Sequence, residues 1–140
     1  MRHLTLALAL AAFALAGSST AADLTVKVDG IDKPGGTLKV QLMDSAEAWA
    51  GKAKPVGAAR QVIDSTAAVE LSFKNLPAGR YALRLMHDEN DNGKLDSNLI
   101  GMPTEGYGYS NNPDLMRAAR FEEAAFDLSD DGAAIEIKLR

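Results

Sequence analysis

The run His87-Asp88-Glu89-Asn90-Asp91-Asn92-Gly93-Lys94-Leu95-Asp96 gathers the residue types in this chain that suggest specific chemistry. Counting from Asp88, side-chain oxygens fall at positions one, three, five and nine as Asp88, Asn90, Asn92 and Asp96. Gly93 stands at six and the Lys94 carbonyl at seven. A helix–loop–helix calcium loop offers its ligands in this order, with the glycine at the sharp turn. Position twelve is Leu99, where a bidentate acid should close the shell, so Glu105, Asp114 or water would have to complete it. With neutral amides at two ligand positions, calcium would bind weakly, with Kd on the order of 10⁻⁴ M or poorer. The competing reading is a solvated hairpin loop, because Asn92-Gly93 between two extended runs is a strong turn signal. In both readings Glu89 and Asp91 point outward.

His87 precedes this loop, and the other histidine, His3, lies in an N-terminal leader. A single histidine without cysteine makes zinc a poor fit. A hydrolase would need His87 to work with Asp88, and no nucleophile-elbow motif accompanies them. The sequence therefore assigns no catalytic residue and favours a hydrogen-bonded His87 that is also a candidate contact residue. The second candidate segment is Gly106-Tyr107-Gly108-Tyr109-Ser110-Asn111-Asn112-Pro113, which holds two of the chain's three tyrosines. Rigid rings among adaptable polar residues suit a binding loop, which makes Tyr107, Tyr109, Asn111 and Asn112 candidate ligand or partner contacts. Trp49 reads as a core lid.

The elements that must position these residues show a period of two. Leu24, Val26 and Val28; Leu38, Val40 and Leu42; Val69, Leu71 and Phe73; and Ile135, Ile137 and Leu139 each alternate with polar neighbours. Such runs place one face on a core and the other in water, as in antiparallel sheets. Turn residues separate them at Asp29-Gly30, Pro34-Gly35-Gly36, Asn75 to Gly79 and Asp130-Asp131-Gly132. Tyr81, after Leu76-Pro77-Ala78-Gly79-Arg80, resembles the tyrosine corner of Greek-key sandwiches. It directs Tyr81, Leu83, Leu85 and His87 inward. Residues 44–50 predict one capped helical turn, with Asp44 or Ser45 as the cap. Residues 101–120 show no clear period and read as a long loop. The expected fold is all-β: an antiparallel Greek-key sandwich (immunoglobulin- or transthyretin-like) of about seven strands with one short helical turn.

Residues 1–22 have the layout of a signal peptide: Arg2 and His3, the apolar run Leu4–Ala16, then small residues with cleavage after Ala21 or Ala22. That run is too short for a membrane anchor, which predicts an exported, periplasmic or secreted domain over 23–140. The chain has no cysteine, so core packing must replace disulfides in an oxidising compartment. Its formal net charge is −4, becoming −5 once Arg2 leaves with the leader. With no basic cluster either, nucleic acid and anionic membranes are excluded as expected partners.

The HDENDNGKLD loop, the GYGYSNNP segment, the FEEAAFDL run at 121–128 and the LPAGRYAL turn resemble one bacterial family. That family, domain of unknown function 2141, consists of small exported proteins, and the opening LTVKVDG and closing IEIKLR extend the likeness over nearly the whole domain. Where such families continue HDEN with Gly-Asn-Gly, this chain has Asp91 before Asn92-Gly93. The resemblance implies an exported β-sandwich and supplies no catalytic assignment. The function expected is a non-enzymatic binding module for an envelope protein, peptide or glycan, with loop 88–96 and segment 106–113 at one end and calcium as a candidate cofactor. The alternatives are a hydrolase using His87 with Asp88, or a purely structural envelope protein.

Overall fold

The computed structural model describes residues 20–140. The expected leader therefore lies outside the described residues, apart from Thr20, Ala21 and Ala22. Ala21 opens the first strand and Ala22 is already buried.

The period-two runs become strands β1 (Ala21–Asp29), β2 (Thr37–Met43), β4 (Val69–Pro77) and β8 (Ala133–Lys138). Between them lie β3 (Gly57–Val62), β5 (Gly79–Asp88), β6 (Tyr107–Tyr109) and β7 (Phe126–Leu128). Two four-residue helices, α1 (Ala46–Trp49) and α2 (Phe121–Ala124), complete the described residues. Ser45 is the α1 cap, accepting a hydrogen bond from the Ala48 amide at 3.2 Å.

The strands form two sheets. Sheet A runs β4-β1-β8 and sheet B runs β3-β2-β5-β6, with β7 also pairing along β5. Leu24, Val26, Val28, Phe73 and Ile137 from sheet A meet Leu38, Val40, Leu42, Leu83 and Leu85 from sheet B in one buried core. The sandwich is as expected, and the pairing is antiparallel except that β8 lies parallel to β1. The described residues form eight strands and two helices, against an expectation of about seven strands and one helical turn. Among the elements that no sequence period marks are β6, β7 and α2, which at three or four residues are too short to show one.

The chain crosses from sheet A to sheet B at Pro77-Ala78-Gly79. There the Tyr81 hydroxyl donates to the Pro77 carbonyl at 2.7 Å, the bond expected of a tyrosine corner. Strand β5 then runs through sheet B with Tyr81, Leu83, Leu85 and His87 inward and Ala82, Arg84, Met86 and Asp88 outward. Beyond its end, the Gly106 carbonyl accepts from the His87 amide and leads the chain into β6.

The outward face of sheet B is covered at one end. Met43, Ala82, Phe121, Ala124 and Ala125 form a second, smaller apolar cluster there, with Trp49 and Tyr109 packed on it. Trp49 is thus a lid, as expected, over this outer cluster, and its indole N–H donates to the Ala119 carbonyl at 2.9 Å.

Candidate functional site

His87 and Asp88 are adjacent in sequence but face opposite sides of sheet B, and both are buried. The His87 ring lies on the core side with Nε2 2.7 Å from the Gly35 carbonyl. Gly35 and Gly36 make this turn possible. Gly36 has φ +67°, and a Cβ there would stand 2.1 Å from the Asp88 carbonyl oxygen. His87 therefore fastens the β1–β2 connection to the end of β5 and faces no cleft.

Asp88 organises the acidic loop. Its carboxylate accepts from the Asn92 amide at 3.0 Å, from the Gly93 amide at 2.8 Å and from the Lys39 ammonium. Lys39 and the two amides outweigh burial and hold the Asp88 carboxyl below its ordinary value. Asp96 sits at the loop's centre, taking Asn92 Nδ2 at 2.8 and 2.9 Å and Asn90 Nδ2 at 2.6 Å, which lowers its pKa too. The amide oxygens of Asn90 and Asn92 accept from the backbone of Asn92 and Lys94. Glu105 does reach the loop from outside, accepting from the Glu89 and Asp96 amides at 3.0 and 2.9 Å. Asp114 does not, being paired with Arg140. Glu89 and Asp91 act as tethers, Glu89 to Lys33 at 2.6 Å and Asp91 to the Thr37 hydroxyl at 2.7 Å.

Calcium needs six to eight converging oxygens. Here Asn90 and Asn92 turn amide donors toward the centre, and the buried Asp88 is already matched by an ammonium. The residues as arranged do not fit a calcium shell. No group of three or more acidic or histidine side chains among the described residues is placed to hold a metal ion.

The tyrosine segment divides in two. Asn111 and Asn112 both adopt left-handed backbone, and their amides bond the Ala125 and Glu136 carbonyls at 2.7 and 3.0 Å. Asn112 Oδ1 also accepts from the Lys138 amide at 2.8 Å, extending β8 by one side chain. Ser110 is buried and accepts from the Leu83 amide at 2.8 Å. These residues anchor β6. Tyr107 and Tyr109 are half-buried and stand on the outward face of sheet B, their rings edge to face at 6.0 Å. Burial pushes the Tyr109 hydroxyl above its ordinary value, so it stays protonated at neutral pH.

Strand register puts two rows beneath these rings. One runs Arg60, Lys39, Met86, Tyr107 and the other Ala58, Gln41, Arg84, Tyr109. With Gly93 and Leu95 of the acidic loop as a rim, Arg60, Lys39, Met86, Gln41, Arg84 and Tyr109 of these rows line a cleft of about 440 Å³. A second hollow of about 410 Å³ adjoins it across Leu95 and Tyr109, lined also by Met102, Met116 and Arg140. The acidic loop and the tyrosines thus meet on the face of sheet B, not at an end of the sandwich. Sequence reading passed over Arg60, Gln41, Arg84 and Met86. The outward parity of Gln41, Arg84 and Met86 was visible, but Arg60 lies on β3, which no sequence period marked, and their being neighbours depends on pairing between distant strands.

No helix among the described residues is long and apolar enough to cross a membrane. No curated protein and no solved structure matches the chain. A family model does match over residues 26–136, from the middle of β1 into β8. The chain therefore belongs to the family described as an uncharacterized protein conserved in bacteria, DUF2141.

Proposed function

We propose that the chain is an exported, non-enzymatic binding module whose ligand lies on the outward face of sheet B. The observation that carries this reading is the cleft over the two cross-strand rows, where Tyr109, Arg84 and Met86 are half-buried beside the rim of Leu95, with Tyr107 in the adjoining hollow. Its size falls in the range of small-ligand sites, and its mixture of rings, aliphatic stems and a few convergent polar groups suits recognition. The outward face of the opposite sheet is more polar, carrying Thr25, Lys27, Glu70, Ser72 and Glu136. A non-enzymatic role is supported by His87, which is buried with its Nε2 taken up by a backbone carbonyl. Export is supported by the leader-like layout of residues 1–22.

Trp49 touches Tyr109 at 5.9 Å between ring centroids and is the single tryptophan, so its fluorescence reports on the cleft. Titrating envelope glycan and peptide fractions against the protein should shift this emission. Tyr109→Ala should weaken the response about fivefold, the order expected when one stacking contact of about 1 kcal/mol is lost. If no fraction moves the emission, or the variant binds as well as the parent, the reading falls.

A further inference from the structure

The cations of the cleft differ in how they are matched. Lys39 is paired with Asp88, while Arg117 and Arg140 in the adjoining region are paired with Glu123 and Asp114. Arg84 and Arg60 take part in no salt bridge among the described residues. Arg84 is also fixed in place: Nε donates to Gln41 Oε1 at 2.8 Å and Nη1 to the Trp49 carbonyl at 3.1 Å. Its guanidinium lies over the Trp49 ring at 5.7 Å. All of these partners are neutral, and Arg84 is half-buried. A guanidinium has five N–H donors, and Arg84 uses two of them. A positioned, partly desolvated cation with free donors and no counter-charge is matched by a ligand anion. Arg60 stands on β3 and Arg84 on β5, on either side of Lys39 and Gln41 of β2, so both borders of the cleft floor carry an arginine. This arrangement occurs in a chain whose net charge is negative, so the positive field is local to the cleft.

Resting on the binding reading above, we infer that the ligand is a carboxylated saccharide. Its carboxylate would lie over β2 between Arg84 and Arg60, with a sugar ring against Tyr109. A saccharide fits better than an acidic peptide for a reason of backbone geometry. The floor is the middle of a sheet, where β2 and β5 have already bonded their amides and carbonyls to neighbouring strands. A peptide laid there would gain no main-chain ladder, the usual source of its affinity on a sheet. A sugar acid needs only side-chain donors and a ring wall, and the cleft supplies both. The shared boundary at Tyr109 and Leu95 lets a chain of rings continue into the second hollow.

The test is Trp49 fluorescence with galacturonate hexamer, its fully methyl-esterified form and hexaglutamate, on the full-length mature protein. Galacturonate hexamer should bind, the ester about tenfold or more weakly, and hexaglutamate more weakly than either saccharide. Arg60→Gln alters an exposed side chain with no hydrogen bond here and should leave the melting temperature unchanged while weakening the hexamer at least fivefold. Arg84→Lys keeps the charge but loses the fork, and should weaken it similarly. Equal binding of hexamer and ester would overturn the anion inference while leaving the cleft as a site for neutral saccharides. Preference for hexaglutamate would overturn the saccharide assignment. Binding that ignores both arginine substitutions would overturn the location. Failure of all three probes would overturn this inference, and the broader reading would then rest on the envelope-fraction titration alone.

Discussion

At the scale of single residues, this structure repeatedly uses charged and polar side chains to hold chain segments in place. Glu123 is the clearest case. Arg117 grips its carboxylate with two bonds of 2.9 and 2.7 Å, and the Arg120 amide adds a third at 2.8 Å. Together these hold its pKa down at about 2. Because the folded value is depressed, the stabilisation is fully present above the ordinary value of 4.5 and fades as pH falls toward 2. Carbon-detected NMR titration should therefore find Glu123 ionised at pH 3.5. In Arg117→Ala its midpoint should move up, and the melting temperature should drop at pH 7 but not at pH 2. Asp88 behaves alike in direction, with Lys39 as the first cause, so acid should loosen the acidic loop as well.

At the scale of elements, the loop 88–96 is a self-supporting rim. Asp88 and Asp96 between them accept six of its hydrogen bonds, from Lys39, Asn90, Asn92 and Gly93. Melting curves in millimolar calcium and in chelator should coincide once ionic strength is matched. A calcium-specific rise would show the amides of Asn90 and Asn92 turning over to present oxygen. The facing turn is equally constrained: Gly36→Ala puts a methyl group onto the Asp88 carbonyl at a positive φ and should destabilise by more than about 1 kcal/mol in urea unfolding. Two of the strands that carry the site, β2 and β5, were legible in sequence, because alternation in Leu38-Lys39-Val40-Gln41-Leu42 and in Tyr81 to His87 fixes which residues face inward. The tyrosine corner was legible for the same local reason. What was hidden is non-local. Asp88 looks like a free ligand until Lys39, 49 residues away, is brought against it. Tyr109 looks like a loop residue until β6 pairs it with Arg84.

At the scale of the whole molecule, the two sheets have different work. Sheet A has a polar outward face, and sheet B carries the helices, the aromatic lid and the cleft. They are joined on one side by backbone bonds between Tyr107 and Arg140, at 3.2 and 2.8 Å, so β6 is braced by β8 as well as by β5. That bracing keeps Tyr107 and Tyr109 upright over the floor of the cleft. A further consequence follows from β8 lying parallel beside β1. The middle strand of sheet A is made before every other described strand, and one of its two neighbours, residues 133–138, is made after them. Until that neighbour arrives, Val26 and Val28 sit on an open strand edge that can pair with other chains. Pairing across such a separation is also slow, on the order of milliseconds to seconds for folds of this kind. The same delay makes the interval before β8 docks the period of greatest exposure to aggregation and proteolysis.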